Sequence, residues 1–225
     1  MQLEKNTKKT ADLPQYTIGE EIAHSILHGA GTLAAIAGFI LLILKTGGFL
    51  EGERAGSKDI GAAVIFSVTM IALFLASTLY HAIQPKNIKH VMRNVDHMVV
   101  VAFIAGTSTP FSLSGLERFW GWGVFILQWF LALIAIILNI IGSKAFRKFE
   151  VTAYIIMGWV LVGILVPLMH TAPMQSIILL IVGGVVYTAG TIWYRKKNIR
   201  GTHIIWHAFV LAGAICHWFS IWFLY

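Results

Sequence analysis

Cysteine occurs once in this chain, at Cys216. A single thiol excludes an intrachain disulfide and any metal site built from several cysteines. Charge is scarce as well: 12% of the 225 residues are charged, whereas a soluble domain carries about 25%. No polar stretch is long enough to form a separate extramembrane domain. The longest, residues 1–21, carries charge but no apolar run before Ile22, so it does not read as a cleavable signal peptide. Internal repeats, heptad arrays and low-complexity tracts are lacking too.

What fills the chain is uncharged sequence. Uncharged runs cover residues 22–44, 60–85, 97–116, 119–143, 151–194 and 201–225. A helix needs about 20 apolar residues to cross a bilayer core roughly 30 Å thick. Five of the runs hold one span each, and the longest holds two, parted near Pro167 and Pro173. The reading is an all-α integral membrane protein, a seven-transmembrane helix bundle spanning 22–44, 61–83, 95–114, 120–141, 151–170, 175–194 and 203–224. Residues 1–21 form a cytoplasmic N-terminal segment ahead of it. Thr107-Ser108-Thr109-Pro110 is expected to interrupt the third span, which is tolerable where the backbone faces protein rather than lipid.

Basic residues set the orientation, because cytoplasmic loops are rich in Lys and Arg. Of the 17, those on the N-terminal side are Lys5, Lys8, Lys9, Lys86, Lys89, Arg93, Lys144, Arg147, Lys148, Arg195, Lys196, Lys197 and Arg200. Only Lys45, Arg54, Lys58 and Arg118 fall on the other. The N-terminus is therefore expected in the cytoplasm and the C-terminus outside, in a multi-pass protein of the cell membrane. A net charge of +7 then needs no nucleic-acid partner.

Ionisable groups inside spans are costly and point to function. His81 ends span two, Asp96 begins span three, and His203 and His207 begin span seven, all at one depth near the cytoplasmic face. Four residues apart, His203 and His207 project from one helix face about 6 Å apart. Such a pair can chelate a metal, and His81 would complete a three-ligand zinc site with an open fourth position. Zinc lowers the pKa of a bound water to about 7. Asp96 would orient that water or act as general base, and Ser77, one turn before His81, would hydrogen-bond a ligand or the substrate.

Ser77-x-x-x-His81, Asp96 and His203-x-x-x-His207, in that order, resemble the shared motif of the progestin and adiponectin Q receptor family. Glu20-Glu21-Ile22-Ala23, His28-Gly29, Tyr80-His81, Asp96-His97 and Ala105-Gly106-Thr107-x-Thr109-Pro110-Phe111 are similar to the blocks of its bacterial hemolysin III branch. The resemblance runs from about residue 18 to the end of the chain. It implies Zn2+ held by His81, His203 and His207, with Asp96 near the metal-bound water. It also implies kinship with alkaline ceramidases and a role in membrane lipid composition or fluidity.

Other residues have plainer readings. His24 and His28 are also four apart at the same end; they either join the metal site or cap and pack the first span with Glu20 and Glu21. Asp96 would also suit a helix N-terminus or a pair with Arg93. His90 and His97 read as loop or interface residues. His170 lies at the outer end of span five. His217, about 15 Å along its helix from His207, cannot share an ion with it. Cys216 packs, the tryptophans (Trp120, Trp122, Trp218, Trp222) form an interfacial belt, and Gly183-Gly184 with Gly158 and Gly163 mark close helix contacts.

The leading functional reading is a zinc-dependent, hydrolase-like membrane protein acting on a lipid amide or ester, with membrane lipid as substrate or ligand. A sensor or receptor with structural zinc is the alternative. A cytolysin, which the family name suggests, should be soluble before it inserts; this chain is committed to its membrane throughout. A transporter would have only Asp96 as a relay at span depth.

Overall fold

The computed structural model describes residues 13–14, 16–50, 54–196 and 198–225. Most of the 1–21 segment, with Lys5, Lys8 and Lys9, lies outside the described residues, as does Lys197. Helices α1 (Ile18–Thr46), α2 (Ser57–Ala82), α3 (Lys86–Leu113) and α4 (Arg118–Ile140) come first. Helix α5 (Lys144–Trp159) runs through a 3-10 turn (Val160–Ile164) into the short α6 (Leu165–Met169), and α7 (Met174–Arg195) and α8 (Thr202–Leu224) follow. No strand occurs among the described residues.

Among the described residues six segments are long and apolar enough to cross a membrane: α1, α2, α4, the stretch Lys144–Met169, α7 and α8. Helix α3, the third expected span, is not among them. Its first three turns carry Lys86, Lys89, Arg93 and Asp96, and its far half holds the polar run Thr107-Ser108-Thr109-Pro110. That run is tolerated because every residue from Ala105 to Leu113 is buried. The helix packs against α2, α4, α5 and α8, so its polar groups meet protein.

The expected interruption of α3 does not occur. The hydroxyls of Ser108 and Thr109 both donate to the Ala105 carbonyl at 2.8 Å, and the Trp129 indole donates to Thr109 Oγ1 at 3.1 Å. Hydroxyls that bond back to their own helix need no other partner, and the helix passes Pro110 to reach Leu113. The irregularity lies instead in the fifth segment, where Val160–Ile164 tightens into a 3-10 turn. A Cβ at Gly158 or Gly163 would meet nothing within 4 Å, so these glycines mark no close contact. The close approach expected at Gly183 is present, where a Cβ would run into the His217 ring and stand 3.2 Å from the Gly213 carbonyl oxygen; others fall at Gly190, 2.7 Å from Phe209 Cβ, and at Gly213, 2.8 Å from the Tyr187 ring. Small residues thus let α7 and α8 meet backbone to backbone.

Two devices fix the end of the bundle where α1 and α8 begin. Thr17 and Glu20 form a capping box on α1, each satisfying an otherwise orphaned backbone donor. The second carboxylate oxygen of Glu20 accepts the Gly201 N–H at 2.9 Å. Gly201 precedes α8 with φ +77°, a left-handed conformation that glycine adopts without strain. One side chain thereby caps the first helix and holds the start of the last.

Candidate metal centre

Five imidazoles, of His24, His28, His81, His203 and His207, gather at that end because α1, α2 and α8 converge there. His24 lies in the second turn of α1, His81 one residue before the end of α2, and His203 and His207 in the first two turns of α8. The His24 ring centroid lies 4.3 Å from that of His81 and 4.9 Å from that of His207. His81 and His207 are 5.0 Å apart by centroid, with their Nε2 atoms at 3.1 Å. His28, one turn after His24, places Nε2 2.7 Å from His207 Nδ1.

His24, His81 and His207 could hold a metal ion: one nitrogen from each lies within 4.8 Å of the others, and all three rings are buried. Both His24 nitrogens are buried without a hydrogen-bond partner. A buried polar atom left unpaired costs about 1–3 kcal/mol, and a cation is one group that would satisfy it. Two imidazole nitrogens bound to one tetrahedral ion at about 2.0–2.1 Å stand about 3.3 Å apart, close to the 3.1 Å between His81 and His207. Neutral imidazoles suit several transition metals, zinc among them. The donor set fits a metal.

His203, expected as a ligand, is part of the cluster but stands to one side. Its ring is 4.5 Å from His207, 5.0 Å from His24 and 5.5 Å from His81, and it stacks on Tyr16 at 5.0 Å. Burial pushes the Tyr16 phenol well above its ordinary pKa, which keeps it protonated. Asp96 and Ser77 line a cavity of about 790 Å³, whose wall also includes Tyr16, His28, His203 and His207. His97 Nδ1 meets Glu150 Oε2 at 3.2 Å, tying α3 to α5 as an interface residue. His217 donates from Nε2 to the Leu180 carbonyl at 3.1 Å, far from the cluster along α8.

The sequence matches the haemolysin-III related family over residues 16–218. It is 36% identical over 208 residues to "Hemolysin-3 homolog" of Bacillus subtilis (strain 168), covering 92% of this chain and 95% of that one. It is 33% identical over 217 residues to "Hemolysin-3" of Bacillus cereus, covering 96% of each. The chain belongs to the haemolysin-III related family. A more distant relative, the human "Monocyte to macrophage differentiation factor", is 27% identical over 170 residues, 71% of this chain and 68% of that protein. This haemolysin-III chain is thus a multi-pass membrane protein on the bacterial branch of the progestin and adiponectin Q receptor family.

One buried constellation beside the cluster was not foreseen. Glu21 Oε2 lies 2.6 Å from His81 Nδ1, and Glu21 Oε1 lies 2.7 Å from Lys89 Nζ. Lys89 also donates to the carbonyls of Tyr80 and Ile83 at the end of α2. Sequence reasoning counted Lys89 among loop cations and Glu21 among helix-capping acids. The available signal was an acid entering an apolar run one residue before Ile22, where an unpaired carboxylate would be costly.

Proposed function

We propose that this protein is a zinc-dependent, hydrolase-like membrane protein that cleaves a lipid amide or ester and serves membrane lipid or fluidity homeostasis. The observation that carries the reading is the convergence of buried imidazoles from α1, α2 and α8 beside a cavity that Asp96 and Ser77 also line. His81 and His207 are the ligands on which spacing and geometry agree, and His203 is the third. Zinc bound there would supply a water with a pKa near 7 and would polarise a carbonyl oxygen. Asp96 takes the proton as general base and passes it toward the leaving group. Ser77 hydrogen-bonds the substrate head, and the protonated Tyr16 phenol supplies a donor at the same wall. The apolar lining, including Leu73, Phe103, Ile104, Leu161 and Leu180, receives the acyl chain. Helix α3 is taken as a seventh span, with residues 1–21 and the basic loops in the cytoplasm, so the site lies near the inner leaflet and lipid enters sideways.

A second reading follows from His24, whose nitrogens approach His81 and His207 within ligand-sharing range. With His24 bound as well, the shell is closed and zinc is structural; the protein is then a membrane sensor. Zinc content of purified full-length protein separates the readings. His81→Ala and His207→Ala are expected to lose the ion under both; stoichiometric zinc in the double variant sinks the metal assignment. Loss on His203→Ala with retention on His24→Ala supports the open, hydrolytic site, and weakened zinc binding in both variants supports the closed, structural one. Asp96→Asn is expected to keep zinc and lose turnover of a fluorescent lipid amide; retained turnover removes Asp96 from the mechanism.

A further inference from the structure

The nitrogens of His81 and His207 that face away from their shared point are both held by side chains of α1. His81 Nδ1 meets Glu21, and His207 Nδ1 meets His28 Nε2. Glu21 is 7% exposed and spans the gap between His81 and the Lys89 ammonium. A carboxylate only accepts hydrogen bonds, so His81 carries a proton on Nδ1, and the neutral ring that a metal needs then turns a bare Nε2 toward His207.

Two donor directions fit the remaining distances. In the first, His28 Nε2–H donates to His207 Nδ1, and His207 Nε2–H donates to His81 Nε2. Each nitrogen contact is then a hydrogen bond, and no cation is needed. In the second, His207 Nδ1–H donates to His28 Nε2, and the His28 proton sits on Nδ1. Both Nε2 lone pairs of His81 and His207 now aim at one point. Only this direction offers a cation two ligands.

We propose that Glu21 and His28 are positioning residues of the metal centre, Glu21 (braced by Lys89) fixing the tautomer of His81 and His28 switching from donor to acceptor to free Nε2 of His207. The inference rests on the metal reading above. The switch moves one proton from Nε2 to Nδ1 on each of His28 and His207; none is gained or released, and the charge is unchanged. His28 is equipped for it, because its Nδ1 is buried without a partner and its side chain lines the cavity. Partners of this kind orient ligand histidines and raise their basicity.

The test uses full-length protein in detergent, with zinc affinity measured by competition against a chromophoric chelator and the cobalt-loaded absorption spectrum as a second readout. Glu21→Leu combined with Lys89→Met removes the oxygen that accepts from His81 Nδ1–H without leaving a buried charge unpaired, and His28→Ala removes the acceptor for His207. Each is expected to weaken zinc binding by about 10–100-fold and to shift the cobalt bands. His28→Gln, whose amide oxygen still accepts from His207 Nδ1–H, is expected to recover most of the affinity. Wild-type protein that binds no zinc overturns the metal reading and this inference with it. Wild-type binding with unchanged affinity and spectrum in Glu21→Leu/Lys89→Met and in His28→Ala overturns the positioning role alone.

Discussion

A Cβ at Gly106 would run into the Thr69 hydroxyl and stand 2.9 Å from Thr69 Cβ. Thr69 cannot swing aside cheaply, because its hydroxyl donates to the Ile65 and Phe66 carbonyls and its branched Cβ is stiff. Gly106→Ala is therefore expected to destabilise the α2–α3 contact by about 1–3 kcal/mol, read as a lower melting temperature in detergent. An unchanged midpoint means the helices slide apart at no cost. Here a glycine quoted for its place in a motif gains a physical role as the point where α2 and α3 touch. The same scale explains what sequence could not supply about the site. His81 and His207 were legible as metal-binding candidates from depth and spacing. Glu21 and Lys89 were not, because a cation in a polar stretch looks like a loop residue until its acid partner is seen on another helix.

Among the elements, α1 and α8 are registered by Glu20, which caps one and holds the first N–H before the other. Glu20→Ala removes both contacts, with a capping loss of about 1 kcal/mol. It is expected to lower the melting temperature and to weaken zinc binding together, since His24 and His28 would shift against His203 and His207. A stability loss with unaltered zinc affinity confines Glu20 to capping. Hydropathy located the elements well wherever apolar sequence and helix coincide, as in α2, α4, α7 and α8. It missed the first turns of α3 and α5, because Lys86–Asn94 and Lys144–Glu150 are helical yet polar. It also placed a break at Pro110, where backbone-bonded hydroxyls carry the helix through, and none at Val160–Ile164, where no proline stands.

At the scale of the whole molecule, the proposed topology can be read from labelling. In a Cys216→Ala background, a membrane-impermeant maleimide applied to intact cells is expected to label Lys58→Cys and to spare Lys144→Cys until the cells are opened. The reverse pattern overturns the orientation. The site's position near one face also gives the bundle two unlike poles. At one, buried imidazoles and carboxylates converge; at the other, hydroxyls and aromatic rings do the joining. There Ser176 and Ser220 exchange hydrogen bonds between α7 and α8, and Lys45 caps the Trp222 carbonyl at 2.6 Å while lying over its ring.

Helix α3 has a consequence for how the protein is made. Among the described residues six segments are long and apolar enough to cross a membrane; α3 is not, and two of the neighbours its polar groups meet, α4 and α5, emerge from the ribosome after it. Trp129 and Glu150, the partners of Thr109 and His97, are supplied by those later helices. On the seven-helix reading, α3 is settled in lipid only once they have been synthesised. The histidine cluster closes later still, when α8 arrives with its two imidazoles, so its full donor set exists only once the last helix is in place.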